Sequence, residues 1–82
     1  MEWIRCTDRL PPETGRYLVV ECFFGRRQIA VGKFVENLHE LDEYAFPTED
    51  RPGWYEYDDE YGFYEATRYS HWAMLPEMPE DE

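Results

Sequence analysis

Apolar residues fall along the chain in short runs with strand-like alternation, and each run is closed off by proline or glycine. The clearest is Tyr17-Leu18-Val19-Val20-Glu21-Cys22-Phe23-Phe24, whose aromatic and β-branched residues suit a pleated, half-buried surface. Ahead of it, Pro11-Pro12-Glu13-Thr14-Gly15 forms a turn signal, because proline presets φ and glycine tolerates positive φ where the chain reverses. Gly25-Arg26-Arg27 marks the next turn. Gln28 to Val35, carrying Ile29, Val31 and Phe34, then completes a predicted β-hairpin.

Beyond the hairpin the pattern changes. Between Glu36 and Glu43, Leu38 and Leu41 are spaced for one face of a helix and Asn37 is placed to cap it, so one or two helical turns are predicted. Ala45 to Gly53 holds Pro47 and Pro52 and reads as a loop. Trp54-Tyr55-Glu56-Tyr57 begins a strand, a turn falls near Asp58 to Gly62, and Phe63 to Thr67 pairs back. Arg68 to Leu75 alternates as a last strand before Pro76 and Pro79. The pattern therefore predicts a mainly β protein, with a small α+β fold as the variant. Its form is a compact antiparallel sheet or open barrel of four to six strands with at most one short helix. Residues 1–79 are expected to form a single small domain and 80–82 an acidic tail.

Composition adjusts this picture in two ways. At 82 residues the chain buries only about 60% of its unfolded surface, so a large enclosed active site is not expected. Fifteen aromatics allow a small core to rest on a few large rings, which argues against disorder. No apolar run approaches a membrane span, and the start of the chain has no basic segment followed by an apolar one, so a cytoplasmic protein is expected. In that compartment Cys6 and Cys22 are expected to be free thiols.

Charge is divided unevenly. Fifteen of the nineteen acidic residues follow Val35, against Arg51 and Arg68 alone, whereas the first 35 residues are mildly basic. The formal net charge of −11 disfavours direct binding to nucleic acid and favours a basic partner. The residues expected to meet that partner are Glu49, Asp50, Tyr55, Glu56, Tyr57, Asp58, Asp59, Glu60, Tyr61, Tyr64 and Glu65. Carboxylates would steer association and tyrosines would anchor it. Arg16, Arg51 and Arg68 are expected to bridge carboxylates within the fold.

No constellation specifies a reaction, and no catalytic residue, cofactor or metal site is expected. His39, His71, Cys6 and Cys22 lack the short spacing that preorganises a zinc site, and Asp58-Asp59-Glu60 lacks the interval of a calcium loop. Ser70 and His71 are adjacent in a predicted strand, where successive side chains point to opposite faces, so no serine–histidine pair is expected.

The two ends of the chain carry recognisable motifs. Glu2-Trp3-Ile4, Asp8-Arg9-Leu10-Pro11-Pro12 and Tyr17-Leu18-Val19-Val20 stand at one end, with Ser70-His71-Trp72 and Leu75-Pro76-Glu77 at the other. Together they resemble a small family of bacteriophages and bacterial genomes catalogued as domain of unknown function 551. Met74 stands where that family favours proline, and the segment from Val35 to Thr67 is an acidic expansion. The resemblance implies a compact domain in a phage or mobile-element setting and carries over no catalytic residue. Trp3, Ile4, Leu10, Trp72 and Leu75 are expected to bring the termini together around the core.

The expected function is that of a non-enzymatic acidic binding protein in the bacterial cytoplasm. It would imitate a phosphate backbone and inhibit a basic host protein or nucleoprotein effector, in the manner of an anti-CRISPR or anti-restriction factor. The alternatives are an accessory or adaptor domain whose acidity serves solubility only and, more remotely, a small hydrolase or metal-binding protein.

Overall fold

The computed structural model describes residues 2–76, so the acidic tail expected at 80–82 lies outside the described residues. Six antiparallel strands form one open sheet: β1 (Ile4–Arg5), β2 (Gly15–Phe23), β3 (Arg26–Val35), β4 (Gly53–Asp58), β5 (Gly62–Glu65) and β6 (Tyr69–Ala73). Their spatial order is β1-β6-β2-β3-β4-β5. A single helical turn, α1 (Leu38–Leu41), lies in the connection from β3 to β4.

The hairpin of β2 and β3 is in register from Gly15 opposite Phe34 to Phe23 opposite Arg26. Its turn consists of Phe24 and Gly25, both at positive φ (49° and 77°), one residue earlier than the Gly25-Arg26-Arg27 signal suggested. Two left-handed residues match the right-handed twist of the flanking strands, so Arg26 and Arg27 are left free to begin β3.

Alternation along β2 sends Tyr17 and Val19 to one face, where they meet Phe34, Trp54, Ala66 and Trp72 in a buried cluster. The rings meet edge to face, with Tyr17 5.3 Å from Trp72 and Phe34 5.3 Å from Trp54 between centroids. A core of a few large rings is thus what this short chain assembles. The two end segments come together through part of the expected set: Ile4 pairs with Trp72, Arg5 pairs with His71, and the Trp72 indole donates to the Arg9 carbonyl at 2.9 Å, whereas Leu10 and Leu75 stay exposed and Trp3 lies on the other face beside His71. Cys6 and Cys22 are free thiols, and burial pushes the Cys6 pKa up.

Asn37 caps α1 by accepting from the amides of His39 (2.9 Å) and Glu40 (3.4 Å), as its side chain and position predicted. Leu38 is fully buried against Gly53, and backbone bonds from Leu38 to Arg51 and from His39 to Glu49 tie the turn to the loop before β4.

The sheet is not continuous along its whole length. β3 and β4 pair only through Lys33–Val35 and Gly53–Tyr55. Past Tyr55 β4 no longer pairs with β3 and continues paired with β5 alone, as a two-stranded finger.

Candidate functional site

The finger begins from residues that were expected to act together and that the sheet separates. Glu56 pairs with Tyr64 and Tyr57 with Phe63, so strand alternation sends Glu56, Asp58 and Tyr64 to the core side and Tyr55, Tyr57 and Phe63 to the opposite face. Asp59, Glu60 and Tyr61 sit at the exposed tip, where Tyr61 is 82% exposed. Asp58 shapes that tip by accepting from the amides of Glu60 (2.7 Å) and Tyr61 (3.0 Å).

The remaining predicted residues form a separate corner. Arg51 donates through both terminal nitrogens to Glu65, at 2.9 and 2.8 Å, and through Nε to Glu49 at 2.8 Å. The bond to Glu65 is the chief cause of the raised Arg51 pKa. Asp50 accepts from the Asn37 side chain. Glu65 thus holds the loop before β4 against β5, and Asp50 ties it to the start of α1.

Of the three arginines expected to bridge carboxylates, Arg51 does so. Arg68 instead lies over the Phe23 ring, 4.4 Å from its centroid. Arg16 stands directly opposite Lys33, and neither ion pair found among the described residues involves it. The reason is register: the strand beside Arg16 offers Lys33 rather than a carboxylate, and Glu65 lies three strands away across the row Arg16, Lys33, Tyr55, Glu65.

On the core side the structure assembles a group that was only half expected. Glu21 of β2, Glu56 of β4, Tyr64 of β5 and Tyr69 of β6 line a cleft of about 230 Å³ together with Arg68. The Tyr64 hydroxyl donates to Glu56 at 3.1 Å, and Glu21 is fixed by the Gln28 amide at 2.8 Å. Tyr69 is pushed up to about 12 by burial first, then by the charges of Glu56 and Glu21. Tyr64 is raised chiefly by its hydrogen bond to Glu56. Both phenols are therefore reluctant to ionise, and Arg68 is the one cation that the cleft already holds beside Glu21 and Glu56. Glu21 and Tyr69 were missing from the expected site, although Glu21 shares the inward parity of Tyr17 and Val19 and is the one acid in an otherwise apolar run.

Ser70 and His71 correct the expectation that they point apart. Val20 pairs with His71 and Glu21 with Tyr69, so Ser70 is the extra residue of a β-bulge, and its Oγ lies 2.8 Å from His71 Nδ1. A bulge breaks strict alternation and brings consecutive side chains toward each other. The pair lacks a third group: among the described residues, no carboxylate bonds to the His71 ring to orient it as a base. Among the described residues, no three His, Cys, Asp or Glu side chains are grouped so as to hold a metal. No described helix is long and apolar enough to cross a membrane.

Comparison with curated proteins and with solved structures found no match. The terminal motifs, the hairpin and the acidic finger nevertheless fall within one family match over residues 2–80, and by it the chain belongs to the family described as Protein of unknown function (DUF551).

Proposed function

We propose that the protein is a non-enzymatic binding protein that engages a basic partner through the acidic finger of β4 and β5 and the cleft at its base. The observation that carries this is the separation of β4 from β3 past Tyr55. It leaves Asp59, Glu60 and Tyr61 exposed at the tip and Glu56, Asp58 and Tyr64 on the side that faces the cleft. Glu56 and Asp58 share a face two residues apart, about 7 Å along the strand, and Glu21 adds a third carboxylate beside Glu56. An arginine or lysine side chain entering the cleft gains these carboxylates and the faces of Tyr64 and Tyr69.

The class of partner that suits spaced carboxylates best is a nucleic-acid-binding protein, whose groove is already lined for negative charge. Occupying that groove would inhibit it, and the bacterial cytoplasm is where such a host effector resides. The phage-like sequence motifs support the same setting by association.

The test is capture of tagged protein from bacterial lysate at low and high salt, with identification of what is retained, run beside the double variant Asp59→Lys, Glu60→Lys and the single variant Glu56→Lys. Asp58 is left intact because its carboxylate shapes the turn. The expected result is salt-sensitive recovery of one basic nucleic-acid-binding protein that both variants lose while their circular dichroism is unchanged. Equal recovery by the variants would leave acidity as a solubility device and the protein as an accessory domain.

A further inference from the structure

The net charge of −11 is an average over a molecule whose sheet sorts its charges by face. On the side away from the buried cluster, the strands carry Arg5, Arg16, Arg27 and Lys33, and their registers fix this placement; the carboxylate on that face, Glu65 at the β5 edge, is taken up by Arg51. Arg5 is opposite His71, which is opposite Val20; Arg27 lies two positions from Ile29, the partner of Val20; Arg16 is opposite Lys33, which is opposite Tyr55. All four cations are exposed, and none has a carboxylate within ion-pair distance among the described residues. Two like charges directly opposite each other, as Arg16 and Lys33 are, cost stability unless something negative sits over them.

The same face carries aromatic rings in reach of the cations. A hollow of about 550 Å³ is lined by Arg16, Lys33, Tyr55, Tyr57 and Phe63. A second, of about 590 Å³, is lined by Trp3, Arg27, Ile29 and His71. Tyr57 is 55% exposed, and its ring stands 5.0 Å from that of Phe63. Lys33 and Arg27 are six residues apart on β3, about 20 Å along the strand.

We propose that this face binds a short single-stranded nucleic acid, with phosphates on Arg16, Lys33 and Arg27 and bases stacked on Tyr57 and Trp3. Cations interleaved with the exposed Tyr57 and the half-buried Trp3 on a sheet suit an unpaired strand, because every base has a face to stack while a duplex hides its bases. An acidic protein segment would use the cations and leave the rings idle. The residues involved are distinct from Glu56, Asp59 and Glu60, so this binding and capture through the acidic finger stand or fall separately.

The test is fluorescence anisotropy of a labelled deoxythymidine decamer titrated with the full chain over a series of salt concentrations. Saturable binding is expected at low salt, with a log–log salt slope of roughly −2 for the phosphates on Arg16, Lys33 and Arg27. Arg16→Gln and Lys33→Gln should each flatten the slope by about 0.7. Tyr57→Ser should weaken binding by roughly tenfold with the slope unchanged, which separates stacking from charge. All three side chains are exposed, so the variants keep the fold. Absence of saturable binding at low salt, an unchanged slope in both charge variants, or equal competition by polyglutamate would overturn the proposal. So would equal affinity for the duplex.

Discussion

Gly32 lies so close to Val19 that a Cβ built on it would stand 2.7 Å from Val19 Cγ1, with Tyr69 and Trp54 ring carbons at 3.1 and 3.2 Å. The absence of a side chain on β3 is what lets Trp54 and Tyr69 close over β2. Gly32→Ala should therefore destabilise by about 1–3 kcal/mol through overpacking. Urea denaturation of the variant and its parent measures this, and a neutral result would mean that the rings shift freely.

Phe24 adopts a left-handed backbone at φ 49° while 85% exposed, in a two-residue turn whose preferred sequence is Asn-Gly. Phe24→Asn should raise stability by roughly 0.5–1 kcal/mol, because asparagine tolerates that region better than an aromatic. A higher thermal midpoint is the expected outcome. A lower one would show that the contact of Phe24 with the Phe23 ring outweighs the strain.

Tyr69 ties stability to alkaline pH. Its folded pKa of about 12 lies above the ordinary value of 10.0, so the unfolded chain releases the proton first. The stabilisation it contributes is complete below pH 10.0 and is lost as pH rises from there through about 12. Unfolding free energies measured across that interval should fall, and Tyr69→Phe should reduce the fall. A parallel decline in the variant would place the effect elsewhere.

Asn37 holds α1 at its start and also bonds to Asp50. Asn37→Ala should cost about 1 kcal/mol. Hydrogen exchange at His39 and Glu40, whose amides Asn37 accepts from, should accelerate more than exchange in β2. Uniform acceleration would mean that the helical turn and the sheet open as one unit.

Much of the fold was legible because its signals are local. The β2–β3 hairpin, the cap at Asn37, the turn at Asp58 to Gly62 and the last strand each follow from neighbouring residues. The candidate site was less legible because it depends on pairing between distant strands. Nothing local to Tyr55 and Glu56 says that one will meet Lys33 and the other Glu21. That outcome rests on the register of β4 against β3 and on the curl of the sheet. Ser70 is the sharpest case, since its bulge exists only against Val20 and Glu21 some fifty positions away. Net charge is likewise a sum over residues and carries no information about which face of the sheet holds Arg16, Arg27 and Lys33.

The placement of β6 between β1 and β2 has a consequence for how the chain acquires its structure. Ile4 finds its partner only at Trp72, so β1 waits through the synthesis of four intervening strands for β6. The β2–β3 hairpin can form early, yet one edge of β2 stays unsatisfied until β6 arrives, and the Trp72 ring that completes the buried cluster arrives with it. Contacts of such long sequence separation make folding slow and late. The domain therefore becomes a folded object only after synthesis has passed β6. Until then the open edge of β2 is the segment most in need of protection from other chains.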